Sequence, residues 1–293
     1  MNRLRPFSYF EPKSLAEAVQ ILAEQGPSAR PLAGGTDLLV RMKTGLFKPG
    51  ALVNLKRIPG LGQIEPGQAG LHIGALAKVS ALERSPAVKA SYPVLAQAAG
   101  LLGAPPVRAL ATVGGNIGRA SPASDLAPAL IVLNAKALVS GPAGERRIPV
   151  AQVMAGPGAT SLAPAEVITS FALPAPLPHT GAAYLKLGRR EGMDCALVGA
   201  AAWLRLAEGG SRAVEARIVL SSVGPTPWRA AQAEQAVLSG TLNDGLLDEA
   251  ARLAAQEIKP MSDMRASEAF RRQAASALTQ RALMAAWEMA RKV

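Results

Sequence analysis

The sequence predicts an α+β fold, and three observations carry that prediction. Apolar spacing switches between helical and strand periods along the first part of the chain without the regular βαβ rhythm of a doubly wound sheet. The two glycine-rich stretches, "AGGTD" at 33–37 and "TVGGN" at 112–116, do not fit the G-x-G-x-x-G pattern that opens a dinucleotide-binding βαβ unit. After prolines at 174, 176 and 178, three strand-like runs follow in hairpin order, and the last stretch is mostly helical.

Each element has a local reason. "SLAEAVQILAEQG" is a helix with marked ends: Ser14 and Glu17 have capping-box spacing and Gly26 stops it. A strand from Ala29 to Leu32 runs into the first glycine loop. "ALVNLKRI" and "GLHIGALA" read as strands, with Pro-Gly turns at 59–60 and 66–67 between them. Ser80 and Glu83 repeat the capping-box spacing. Tyr92 to Leu102 is helical, closed by Gly103 and the Pro105-Pro106 pair. A second glycine-rich loop precedes a helix from about Ser124 to Asn134, a strand at Ala137–Ser140 and another at Val167–Leu173. "AAYLKLGRR", "CALVGAAAWLRLA" and "AVEARIVLSSVG" supply the later strands, and the segment from Ser267 supplies a helix with an apolar stripe. The expected division is 1–55, 56–176 and 177–293.

Composition excludes several functions. No apolar run is long enough to span a bilayer, and the N-terminus lacks the apolar core of a secretory signal, so the expected location is cytoplasmic. The single cysteine, Cys195, rules out an internal disulfide framework and a cysteine-ligated iron–sulfur cluster held by this chain alone. With only His72 and His179 beside it, no protein-built metal site is expected. The net charge of +11 comes from scattered residues rather than a basic tract, and eleven aromatic residues offer little surface for stacking bases. No nucleic-acid partner is expected.

The glycine stretches carry the chemistry. Read singly, each is a tight turn or a phosphate cradle in which side-chain-free backbone N–H groups approach an anion and a threonine adds a hydroxyl. Read together, two such loops could grip one pyrophosphate from both sides, which makes a dinucleotide plausible.

The order of motifs resembles the FAD-binding medium subunits of molybdenum hydroxylases, the family of carbon monoxide dehydrogenase medium chains and xanthine dehydrogenase flavin domains. "PLAGGTDLL" and "ATVGGNIGRASPASDLAPAL" are similar to the family's two flavin motifs. "TSLAPAEVIT", "YLKLGRREGMDCALVG", "VGPTPWRA" and "FRRQAASALTQRAL" follow in the family's order, so the resemblance covers nearly the whole length.

The resemblance implies a vanillyl-alcohol-oxidase (PCMH)-type FAD-binding fold with a C-terminal antiparallel sheet and helices. It implies that the loop of Ala33, Gly34, Gly35, Thr36 and Asp37 holds the FAD pyrophosphate through the N–H groups around Gly34 and Gly35 and the Thr36 hydroxyl, that Leu32 and Leu38 on either side also bind the cofactor, and that Thr112, Gly114, Gly115 and Asn116 complete the grip. Asp125 matches the position of an aspartate at the ribityl or adenosine part, although a charge at a helix start also explains it, and Ser124 beside it is expected to bind the cofactor. Val167 and Ile168 match apolar positions at the adenine, and a buried strand explains them equally. Lys186 resembles a lysine that reaches the flavin edge, with an exposed strand lysine as the alternative. Cys195 stands where relatives often place an aromatic residue near the isoalloxazine; the alternative is a buried structural cysteine.

Flavin chemistry needs no protein nucleophile, so no catalytic side chain and no metal ligand is assigned. The resemblance implies an electron-transfer flavoprotein subunit of a carbon monoxide, xanthine or aldehyde-type oxidoreductase. Its partners would be a large molybdopterin-binding subunit and a small [2Fe–2S] subunit, in a dimer of heterotrimers. An assembly protein that keeps the fold without flavin, and a stand-alone flavin oxidoreductase, are the alternatives.

Overall fold

The computed structural model describes residues 4–292. The chain begins with a three-stranded parallel sheet of order β1-β3-β2, formed by β1 (Ser8–Phe10), β2 (Ala29–Leu32) and β3 (Ala51–Asn54). Helix α1 (Leu15–Gln25) packs Ala18 and Leu22 against Ala29, Ala51 and Val53 of that sheet. Its start is as predicted. Ser14 Oγ accepts from Glu17 N at 3.2 Å, and Glu17 reaches back to Lys13 N at 2.8 Å. Helix α2 (Leu38–Lys43) follows the first glycine loop. The expected strand "ALVNLKRI" ends early, because Asn54 accepts from Lys56 N and turns Leu55–Arg57 into a 3₁₀ turn.

The middle of the chain forms a five-stranded antiparallel sheet with helices on one face. Its first strands are β4 (Ile64–Gly67) and β5 (Gly70–Gly74). Short helices follow: α3 (Val79–Arg84), α4 (Pro86–Ser91), α5 (Pro93–Leu101), α6 (Pro105–Arg108), α7 (Val113–Gly118) and α8 (Leu126–Val132). The sheet continues with β6 (Lys136–Gly141) and β7 (Gly144–Pro149). A single turn, α9 (Val150–Val153), and a small hairpin, β8 (Met154–Gly156) with β9 (Ala159–Thr160), lead to β10 (Val167–Pro174). The strand order is β4-β5-β10-β6-β7.

Two expectations need correction here. Ser80 lies inside α3 rather than capping it, and Glu83 pairs with Arg108 at 2.8 Å; the capping serine is Ser85, which opens α4 by accepting from Val88 N. The second glycine stretch is also not a loop. Thr112 caps α7 by accepting from Gly115 N at 3.0 Å, so a helix forms despite two glycines of low intrinsic propensity.

A four-stranded antiparallel sheet completes the fold: β11 (Thr180–Leu187), β12 (Val198–Leu206), β13 (Ala213–Ser221) and β14 (Trp228–Arg229). Helices α10 (Ala231–Leu238), α11 (Asp244–Glu257) and α12 (Glu268–Ala290) cover one face. Strand alternation sets both faces. Val198, Ala200, Ala202 and Leu204 join the helices, whereas Ala201 and Trp203 join the core of the middle sheet. Arg217 lies 3.7 Å from the Trp203 ring centroid and donates to the Val132 carbonyl at the end of α8 at 2.6 Å.

Candidate cofactor site

The loop at 33–37 leaves the buried end of β2 and turns into α2, with Leu32, Leu38 and Leu39 packed beside Met42 and Leu52. Gly35 has φ +76, a conformation that favours glycine. Gly34 has a different reason to lack a side chain: a Cβ there would collide with the Leu110 carbonyl oxygen. The first motif therefore lies directly against the segment leading into the second. Asp37 Oδ2 and Arg119 Nε, one from each motif, form an ion pair at 2.7 Å.

The two motifs differ in what they leave free. Among the described residues, no intramolecular hydrogen bond engages the N–H groups of Gly34, Gly35 and Thr36 or the Thr36 hydroxyl. In the second motif the N–H groups are already taken. Gly114 N donates to the Ala75 carbonyl at 2.8 Å, Gly115 N to Thr112 Oγ1, and Asn116 N to the Thr112 carbonyl at 2.9 Å. The expectation of backbone donors at Gly114 and Gly115 is thus corrected. Gly114 is small because a Cβ would stand 2.6 Å from that of Ala75. What the second motif offers is the Asn116 amide, whose Oδ1 accepts from the Ser124 hydroxyl, so that Nδ2 is the donor left over.

Beside Ser124, Asp125 faces the third sheet. Its Oδ2 accepts from Lys186 Nζ at 3.0 Å and its Oδ1 from the Tyr184 hydroxyl at 2.9 Å. Lys186 also donates to the Leu101 carbonyl at 3.0 Å. Both members of the ion pair have side chains only 8 % exposed, so the alternative of an exposed strand lysine does not hold for Lys186. Burial pushes the Asp125 carboxyl up, and Lys186 and Tyr184 pull it partly back. Burial, with the Asp125 charge, drives the Tyr184 hydroxyl well above its ordinary value. Gly199, opposite Lys186 on β12, makes room: a Cβ there would come within 2.6 Å of the Tyr184 hydroxyl oxygen.

Lys186 also lines a cavity of about 240 Å³ with Leu101, Gly188 and residues 190–194. Asp194 shapes its wall by accepting from Arg189 N at 2.8 Å and from Cys195 N at 3.0 Å. Cys195 is free and exposed, so the alternative of a buried structural cysteine does not hold. Val167 and Ile168 stand at the start of β10, 3 % and 6 % exposed, with their side chains in two protein cores. Only their backbone can therefore face a ligand.

Three residues with a part in the site escaped the sequence reading. Arg119 ties the two motifs, Tyr184 holds Asp125, and Lys78 donates to the Leu110 carbonyl at 3.3 Å, the same oxygen that Gly34 approaches. Burial and the Lys56 charge lower the Lys78 ammonium. The signal for Tyr184 was present, since it lies two residues from Lys186 and so shares its face of a strand. Nothing in the sequence placed Lys78 near the first loop.

The chain belongs to the FAD-binding flavoprotein subunits of the molybdenum hydroxylases. Residues 5–176 match the FAD binding domain in molybdopterin dehydrogenase, and residues 182–286 match the CO dehydrogenase flavoprotein C-terminal domain. The carbon monoxide dehydrogenase medium chain of Hydrogenophaga pseudoflava is 35 % identical over 281 residues, covering 96 % of this chain and 97 % of that one. A putative xanthine dehydrogenase FAD-binding subunit of Escherichia coli K12 is 33 % identical, covering 90 % of each chain. A solved carbon monoxide dehydrogenase from H. pseudoflava superposes with a TM-score of 0.94 at 36 % identity, covering 98 % of this chain and 99 % of that chain. The α+β architecture is thus the family's FAD-binding fold. No helix among the described residues is long and apolar enough to cross a membrane.

Proposed function

We propose that the chain is the electron-delivering flavin subunit of a heterotrimeric molybdenum hydroxylase. In this reading a large partner oxidises substrate at a molybdopterin centre and a small partner relays electrons through [2Fe–2S] clusters. This chain hands them to an external acceptor, and two heterotrimers pair into a dimer. When bound, FAD supplies a redox centre that takes up and releases electrons, which no side chain here can do.

The observation that carries the proposal is the first loop. Among the described residues Gly34, Gly35 and Thr36 present N–H groups without intramolecular partners, on a turn whose positive φ at position 35 favours glycine and that Gly34 seats against the second motif. These donors, the Thr36 hydroxyl and Asn116 Nδ2 fit a pyrophosphate, which needs several hydrogen bonds to its oxygens. Ala33 and Thr112 frame that grip, and Asp37 fixes it through Arg119. Ser124 orients Asn116, and Asp125 holds Lys186, which lines the cavity together with Asp194, the residue before Cys195. The backbone at Val167 and Ile168 is assigned to the adenine end.

The test is a visible absorption spectrum of the purified chain, alone and after adding FAD, with the released cofactor identified by mass. One FAD per chain is expected. A chain that takes up no FAD even in excess contradicts the assignment of these residues.

A further inference from the structure

Helix α2 has the cofactor loop at its start and a second concave feature at its end. There a cavity of about 390 Å³ is lined by Leu4, Arg5, Lys43, Phe47 and Lys48, together with Met42 and Pro49. Among the described residues, none that lines it is acidic. The imbalance extends along α2 and the turn after it: between Asp37 and Pro49 lie Arg41, Lys43 and Lys48, and no carboxylate. Six helical residues span only about 9 Å, so this face neighbours the cofactor site without forming part of it.

The rim is held in place. Gly45, at φ +76, ends the helix, and Phe47 N donates to the Arg41 carbonyl at 3.1 Å. The guanidinium groups of Arg30 and Arg41 lie 5.2 and 5.1 Å from the Phe47 ring centroid. Arg30 is itself fixed by donating to the Pro27 and Ala29 carbonyls. On this pinned turn Leu46 is 75 % exposed, and on α2 Val40 is 55 % exposed. Apolar side chains displayed on a rigid frame, beside a cavity and among cations, have the layout of a protein docking surface: an apolar centre with a charged rim.

We propose that this face docks an acidic segment of a partner subunit, with an apolar side chain seated between Leu46 and the cavity and carboxylates against Arg5, Lys43 and Lys48. The proposal rests on the reading of the chain as one subunit of a complex. Charge complementarity selects the occupant. A second copy of this chain, joined face to face, would oppose cation to cation. A nucleic acid would use the cations but leave Leu46 and Val40 without partners.

The experiment isolates the tagged full-length chain from nuclease-treated producing cells at about 0.15 M salt, where exposed charges still act over several ångströms. Retained partners are identified by bound molybdenum and [2Fe–2S] absorbance. The comparison uses Lys43→Glu/Lys48→Glu and, separately, Leu46→Ser, all exposed positions outside the cofactor site. Both variants are expected to keep the flavin content and melting temperature of the parent while retaining about tenfold less partner. Equal retention by parent and variants overturns the docking face and leaves the subunit reading standing. A parent chain that retains no molybdenum or [2Fe–2S] partner overturns both. Nucleic acid retained by the parent in a parallel preparation without nuclease, and lost in both variants, assigns the face to nucleic acid and overturns the proposal.

Discussion

Gly34 illustrates how one missing methyl group assembles a site. Its Cα faces the Leu110 carbonyl with no space for a Cβ, so Gly34→Ala must push the first loop away from the second motif. The expected cost is about 1–3 kcal/mol of stability, as for other overpacked sites, and most of the bound flavin; urea unfolding and flavin content check both. Lys78 acts by charge. Burial, reinforced by Lys56, lowers its ammonium, whereas a phosphate nearby favours the charged form. FAD affinity is therefore expected to fall as pH rises through the lowered value of the free chain. Lys78→Met should remove that alkaline limb and weaken binding at neutral pH by roughly tenfold to a hundredfold, matching a hydrogen bond to a charged group. Titrations followed by flavin fluorescence from pH 7 to 10 distinguish the two chains. An alkaline limb that persists in the variant would clear Lys78 of this role.

Among the elements, β10 is set by the residue before it. Glu166 accepts from Arg146 Nε at 2.6 Å and from Ala163 N at 2.7 Å, fixing where the strand begins. The Arg146 hydrogen bonds hold the Glu166 carboxyl below its ordinary value of 4.5, burial opposing and Ala163 assisting. A depressed carboxyl stabilises the fold above the ordinary value, and that contribution is lost as pH falls through the lowered one. Glu166→Gln should melt earlier than the parent at pH 7, with the gap closing below about pH 4.5. A gap that stays constant down to pH 3 would contradict this. The sequence made some elements plain and hid others for physical reasons. Ser14 and Gly26 mark α1 because caps act locally, and β11 to β13 stand out as long apolar runs. Strand β7 did not, because "GERRIP" lies at a sheet edge, where exposed charges replace the apolar alternation of a buried strand. Helix α7 was hidden by its glycines, since the Thr112 cap and its packing on Ala75 override propensity. The residue types of the site were legible, but the division of labour between its two motifs depends on tertiary hydrogen bonds to Ala75, distant in sequence.

In the whole molecule, the sheet of β11 to β14 is buried on both faces, and Arg217 is the bolt between it and α8. Its stacking on Trp203 and its bond to the Val132 carbonyl join segments 85 residues apart. Arg217→Ala should lower stability by about 2–3 kcal/mol, from a desolvated cation–π contact and a buried carbonyl left without its donor. The same variant should speed proteolytic cutting near the exposed prolines 174–178; an unchanged urea midpoint would refute the assignment. The pairing of Asp37 with Arg119 has a consequence for how the protein matures. If the two motifs grip one phosphate as proposed, the grip is complete only once residues 33–37 and 112–119 have met. On the proposed flavin role, the yellow colour of bound flavin therefore reports completed folding: a chain that has taken up FAD has already joined its first two sheets.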